Sequence, residues 1–408
     1  MDITDIIKPG ALEGVRVADF GWVLAGPYAT MLLGYMGAEV IKIESRRRID
    51  EQRIVHRAGV SDNVDASSNF FEINLNKRSV TLNLSTPEGA ALARRIVAQS
   101  DIVVENMRPG VMDRLGLGYA DLAKVREDIV MVSISGWGQT GPLREYTAYA
   151  PCFASFGGLA HMMGYADGEP NTGTSAMDAR SGTAAAFAVL MALAIRRRTG
   201  QGQYIDMASG EALSCLIGDV TMDYLMNGRS PSRDGNRDAI MAPHNCYRCA
   251  GDDQWISIAV GTEAEWEGLC DAMGRPAWTG DADFSGAYER WRHQERLDAL
   301  VQEWTSAIPA EEVMHRLQKH GVAAVPSFDA ERLFDNEHLR ERGSITSVEH
   351  PVLGERQAIS PPWQMSATPP KIDRYAPLLG EHNDYVLREM LGLPDDEIAR
   401  LVEEKVVY

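Results

Sequence analysis

Short apolar runs alternate with amphipathic stretches through the first half of the chain. Residues 15–20 (VRVADF) and 39–44 (EVIKIE) are dense in Val, Ile and Phe, as strands buried on both faces are. Between them a Gly-containing turn leads into a helix predicted over 27–36. A third strand is predicted over 79–84. Ser85, Thr86, Pro87 and Glu88 then supply a capping hydroxyl, a proline and an acid, the signals of a helix start, and that helix runs to about residue 99. Further strands are predicted at 101–105, 129–135 and 203–208, with an Ala-rich helix over 183–197 before the last. Short apolar strands separated by helices imply a parallel sheet with right-handed crossovers, so the fold class is α/β. Residues 150–174 are rich in Gly and small side chains and show no period, which predicts a long ordered loop beside a site.

The second half reads differently. A polar stretch at 229–236 (RSPSRDGN) has linker character. Residues 245–260 alternate as an antiparallel hairpin would, turning at 251–253, and amphipathic helices follow to about 319. From about 340 the pattern is strand and coil, ending in an amphipathic helix over 384–404. This divides the chain into the N-terminal part of a large α/β domain (1–210), a linker (211–235), a small α+β domain (236–330) and a return linker with the C-terminal part of the large domain (331–408).

Composition narrows the function. Of 408 residues 45% are hydrophobic, an ordinary globular balance, and the formal charge of −18 repels nucleic-acid phosphates. Five cysteines, an odd number in a long chain, fit a reducing compartment. The first residues carry neither a basic nor an apolar leader, so a cytoplasmic location is expected. The longest apolar run, 184–195, is short of the ~20 residues a bilayer span needs and reads as a core helix.

Candidate chemistry clusters after the strands. The turn Gly21 to Pro27 lies where a nucleotide site sits in such sheets, yet it is not G-x-G-x-x-G, and no P-loop occurs. Basic residues follow three early strands: Lys42 with Arg46 to Arg48, Lys77 with Arg78, and Arg108 with Arg114. Strand ends of a doubly wound sheet converge on one rim, so these cations predict a polyphosphate ligand there. Asp178 stands before the apolar helix. Its position and residue type favour a helix cap first; the other reading is a carboxylate nucleophile steadied by helix N–H groups. Cys246 and Cys249 form a lone C-x-x-C without the second pair of a zinc site. No G-x-S-x-G or H-E-x-x-H is present.

The motifs V-A-D-F-x-x-x-x-A-G-P, G-A-E-V-I-K-I-E, N-K-R-S, V-E-N-M-R-P-G, S-I-S-G-W-G-Q-T-G-P, M-D-A-R-S-G and R-R-T-G-Q-G-Q-Y-I-D occur in that order from about Leu12 to Leu213. More weakly, H-G-V-A-A-V-P and L-L-G-E-H-N follow near 320 and 378. The set resembles the class III CoA-transferases, the group of formyl-CoA transferase, carnitine CoA-transferase and alpha-methylacyl-CoA racemase. The resemblance implies an open Rossmann-like domain plus a small domain, with two subunits interlocked as rings. It implies Asp178 as covalent nucleophile and Tyr149 as an active-site residue. Val23, Leu24, Ala25, Asn106 and Met107 would line a CoA channel, with Arg46, Lys77 and Arg114 near the phosphates. Leu24 replaces the Gln of formyl-CoA transferase, and 221–228 is more similar to carnitine and benzylsuccinate CoA-transferases, which points to succinyl-CoA as donor and a larger acceptor acid.

The resulting expectation is transfer of CoA from an acyl-CoA to a free carboxylic acid, with no resident cofactor, metal, nucleic acid or membrane. Two alternatives stand beside it. One is an alpha-methylacyl-CoA racemase using Asp178 and His161 as its two bases. The other is a CoA-binding subunit of a heteromeric transferase, paired with a paralogous chain in place of a homodimer.

Overall fold

The computed structural model describes residues 10–55 and 62–408. Its main sheet holds β1 (Arg16–Phe20), β2 (Glu39–Glu44), β3 (Lys77–Thr81), β4 (Ile102–Glu105), β5 (Val130–Ser135) and β6 (Gln203–Ala208). The order is β3-β2-β1-β4-β5-β6 and every pairing is parallel. Successive strand residues face opposite layers. Val17, Val40 and Ile102 enter one core with the helix Ala25–Tyr35. Ala18, Ile41 and Val103 enter another with Leu92 and Ile96 of the helix Pro87–Ala98. Each fully buried Val, Leu or Ile among them stabilises the fold by roughly 1.5–3 kcal/mol. Strand order reverses between β1 and β4, which opens a crevice at their carboxyl ends.

The chain forms two compact units. One runs up to His161 and resumes over Asn171–Pro231 and Arg340–Tyr408; the other is Met162–Pro170 with Ser232–Leu339. The smaller unit is α+β: antiparallel β7 (His244–Arg248), β8 (Trp255–Ala259) and β9 (Ala323–Pro326) pack on helices through Tyr247, Ile258, Trp266 and Leu317. The larger unit also holds the hairpin β10 (Ile345–His350) and β11 (Gly354–Ile359).

Four segments depart from the sequence expectation. The loop expected over 150–174 contains helices Ala150–Phe156 and Leu159–Met162; Ala150, Phe153 and Ala154 bury at helical spacing despite the small residues around them. The Ala-rich helix starts earlier, at Thr174, and runs to Thr199, because Met177, Ser181 and Ala185 continue its buried stripe. The expected linker 211–235 carries helices Ser209–Ser214 and Gly218–Asn227. The last helix is broken at Leu391–Pro394 into a π-helical turn Tyr385–Met390 and the helix Asp395–Glu403, since Pro394 cannot continue the hydrogen-bond ladder. The long helix is apolar enough over Ala176–Thr199 to cross a membrane by length and composition. Here its apolar stripe, with Val189 and Leu193, joins the sheet core.

Candidate active site

The turn leaving β1 is held from both neighbouring strands, β2 and β4, and from the start of the helix Glu51–Ile54. Asn106, just past β4, accepts from the Trp22 N–H at 2.7 Å and donates to the Trp22 carbonyl at 2.8 Å. Lys42 of β2 donates to the Gly21 carbonyl at 2.8 Å and sits 3.4 Å from Asp50. Asp50 accepts from the Val23 N–H at 3.2 Å. Gly26 is required by this closeness, since a Cβ there would meet Asn106 Oδ1 at 2.8 Å. Val23 is forced to φ +59°, a conformation a β-branched residue adopts at a cost of about 1–3 kcal/mol.

Asp178 reaches this turn from the long helix. A Cβ on Gly182 would lie 2.6 Å from the Ala25 carbonyl oxygen, so only glycine lets the two helices approach this closely. One turn before Gly182, Asp178 joins Val23, Leu24, Ala25, Asn106 and Tyr149 around a cavity of about 210 Å³. Asp178 is the fifth residue of the helix Thr174–Thr199, so the cap role does not apply. Burial pushes its carboxyl above the usual 3.8, and among the described residues no neighbouring cation offsets this. Tyr149 begins the helix Ala150–Phe156 and is 65% exposed, open to the cavity mouth. His161 lies on the short helix Leu159–Met162 and does not line this cavity, so the second base of a racemase is not supplied from there.

The expected cations separate into two groups. Lys77 is not on the rim. It is fully buried, donating to Asp19 at 3.0 Å, to the Pro27 carbonyl at 2.8 Å and to Asn74 at 3.0 Å. β3 begins at Lys77 rather than at 79, which turns this side chain inward, where the buried Asp19 needs a counter-charge. Burial lowers the ammonium to about 8 although Asp19 opposes the shift. Arg46 and Arg114 are exposed and line neither this cavity nor its neighbour; Arg46 donates to the Leu379 carbonyl at 3.3 Å. The neighbouring cavity, about 440 Å³, shares Val23, Asn106, Met107 and Tyr149 and is bordered by Arg48 and Arg108. The Arg48 guanidinium lies 4.6 Å from the Trp22 ring centre, a cation–π contact that holds it at the mouth.

Arg48 and Arg108, two of the basic residues expected at a phosphate rim, border these cavities, whereas Ser135 and Trp137, which also line them, carry no role in the sequence reading. The signal was present in the R-P-G after β4 and the S-G-W-G-Q after β5. Among the described residues no group of three or more His, Cys, Asp or Glu is placed to hold a metal. Cys246 and Cys249 are free thiols. The arrangement therefore offers a half-buried carboxylate beside a strained turn, with two guanidiniums at the adjoining mouth. It can carry out nucleophilic attack on an acyl group borne by a phosphate-containing carrier.

The family description "CoA-transferase family III" matches residues 12–383. The chain is 34% identical over 400 residues to a succinyl-CoA–D-citramalate CoA-transferase of Chloroflexus aurantiacus, covering 98% of each chain. It is 33% identical over 413 residues to the beta subunit of a succinyl-CoA–L-malate CoA-transferase of the same organism, covering all of both. A CAIB/BAIF family protein from Brucella suis, of solved structure, aligns with TM-score 0.85 at 30% identity, over 94% of this chain and 100% of that one.

Proposed function

The chain belongs to CoA-transferase family III, and from that premise we propose that it moves CoA from succinyl-CoA to a second carboxylic acid through covalent intermediates on Asp178. An Asp178 carboxylate oxygen attacks the thioester carbonyl; the C–S bond breaks, leaving a mixed anhydride and CoA thiolate. The thiolate attacks the aspartyl carbonyl and expels succinate, leaving an aspartyl-CoA thioester. The acceptor carboxylate attacks that thioester and frees the thiolate again, which then takes the acceptor's acyl group and restores Asp178. Covalent storage keeps the thioester's energy from water and replaces one hard step by easier ones. The observation that carries this reading is the position of Asp178: inside the helix, facing the strained 23–25 turn, with no cation paired to it among the described residues. Relatives named for succinyl-CoA support the donor, and Leu24 gives the cavity an apolar wall suited to an acid larger than formate. CoA's phosphates would meet Arg48 and Arg108 at the mouth and Arg46 and Arg114 beyond it. Remote binding there would position the thioester.

Asp178→Asn tests this. The variant is expected to fold normally and lose several orders of magnitude in rate, because an amide is a far poorer nucleophile than a carboxylate. Hydroxylamine with succinyl-CoA should modify the wild-type peptide containing Asp178 and no other. A fully active Asp178→Asn enzyme overturns the mechanism.

We also propose a homodimer. The helix Gly218–Asn227 buries no side chain and exposes Met222, Leu225 and Met226, and the long helix exposes Phe187, Met191 and Ile195 at four-residue spacing. Contiguous apolar stripes of this kind are interaction surfaces. A cytoplasmic location fits free thiols at five positions.

A further inference from the structure

Among the described residues seven buried side-chain polar atoms have no hydrogen-bond partner in the protein, and three of them fall within five residues: Ser135 Oγ, Trp137 Nε1 and Gln139 Nε2. A buried donor left unpaired calls for an explanation, because nearly all such groups find a partner. Ser135 ends β5, next to β4, at the carboxyl side of the sheet. It and Trp137 line the same cavity as Asp178. The Trp137 ring is fixed edge-on against Phe156, with centres 4.7 Å apart, and against Phe153 at 6.4 Å. The indole N–H is thus held by packing rather than by a bond of its own.

We propose that the Ser135 hydroxyl and the Trp137 indole N–H are the donors that receive the charge formed on the substrate's carbonyl oxygen when Asp178 attacks. This rests on the covalent reading above and adds the residues that stabilise its transition state. When the carboxylate oxygen bonds to the acyl carbon, the carbonyl electron pair moves onto oxygen. Two hydrogen bonds meet that oxyanion. When the pair returns, the C–S bond breaks and the thiolate leaves, so no proton is gained or lost. Donors already desolvated and without protein partners need no reorganisation to meet the charge, which is the condition for this kind of catalysis. Their lack of partners in the protein is then the cost of readiness at a functional site.

The probe is exchange of labelled succinate into succinyl-CoA, which needs no knowledge of the acceptor acid. Ser135→Ala is expected to lower kcat by about 10²–10³-fold, the effect of removing one oxyanion donor, with KM for succinyl-CoA changed less than about threefold. Its melting temperature should be unchanged or raised, since the lost hydroxyl bonds nothing in the protein. Ser135→Thr, which keeps a hydroxyl, should recover much of the rate. Trp137→Phe keeps a ring in the aromatic contact and should also lower kcat. Hydroxylamine labelling of Asp178 separates the two readings. Labelling at equal rates in wild type and Ser135→Ala, with kcat within about threefold, overturns the oxyanion assignment and leaves the nucleophile standing. Absence of exchange and labelling in the wild type removes both.

Discussion

The Asp178 carboxyl is lifted above its usual 3.8 by burial alone, and only its ionised form is a nucleophile. Activity should therefore fall as pH drops through that raised value. The acid limb of kcat/KM for succinate exchange is expected above 3.8, and a limb at or below it contradicts the assignment. Glu105, 3% exposed at the end of β4, gives a second pH signature. Burial pushes it from 4.5 to about 7, with hydrogen bonds from the Ser133 side chain and the Met107 N–H opposing the shift. The folded protein holds this proton more tightly than the unfolded chain. Its contribution to stability is thus full below 4.5 and is lost as pH rises to about 7. Glu105→Gln should accordingly gain stability over wild type by on the order of 3 kcal/mol as pH passes through that window, read from urea midpoints. A constant difference would contradict it. Lys77 marks where residue identity misled. From sequence it is one cation among several after a strand, and only the strand's starting register shows that it points at Asp19. Lys77→Met should leave Asp19 buried without its nearest counter-charge and cost about 3–5 kcal/mol, with CoA affinity of the folded protein unchanged. A stable Lys77→Met protein that binds CoA weakly would restore the phosphate role.

Helix contact fixes the site as much as side-chain chemistry does. Gly182 lies one turn beyond Asp178 and faces the Ala25 carbonyl, a backbone atom that cannot rotate away. Gly182→Ala should push the long helix off the first one, costing about 1–3 kcal/mol of overpacking against the slight gain alanine usually brings to a helix. Its kcat should fall further than its stability suggests, because Asp178 moves with the helix. Gly218→Ala is the control: a Cβ there meets nothing within 4 Å, so it should be neutral or stabilising and fully active. Equal behaviour of the two variants would show that the close approach is unimportant. Elements were legible in proportion to their apolar contrast. Glu39–Glu44 and Gln203–Ala208 match the expected bounds to the residue, the first as a hydrophobic run and the second because the Gly-Gln-Gly turn before it marks its start. The helix Ala150–Phe156 and the first two turns of the long helix were not legible, because Asp178, Arg180, Ser181 and Gly182 interrupt the apolar pattern there. Those interruptions are the residues that build the site: a carboxylate and a glycine for close approach occupy positions where a helix signal wants Leu or Ala.

For the whole molecule, charge and apolar surface act against each other. The formal charge of −18 makes any two copies repel, while the exposed stripes on the helices Thr174–Thr199 and Gly218–Asn227 favour their association. Met226 is 73% exposed and Leu225 71%, beyond what scattered surface apolar residues explain when Met222 and Tyr224 adjoin them. The two effects respond differently to salt. Screening shortens the reach of repulsion to ~8 Å at physiological ionic strength and leaves apolar burial intact. Self-association should thus tighten between about 10 and 150 mM salt, the opposite of a dimer held by ion pairs. Sedimentation at both salts should show a dimer whose dissociation constant falls as salt is added. Leu225→Asp with Met226→Asp should shift it to monomer, since unpaired carboxylates in an apolar interface must be desolvated. Co-purification with a second, related chain in place of self-association would assign the same stripes to a heteromer. A chain that stays monomeric and fully active at nanomolar concentration in both salts would show that these stripes join nothing.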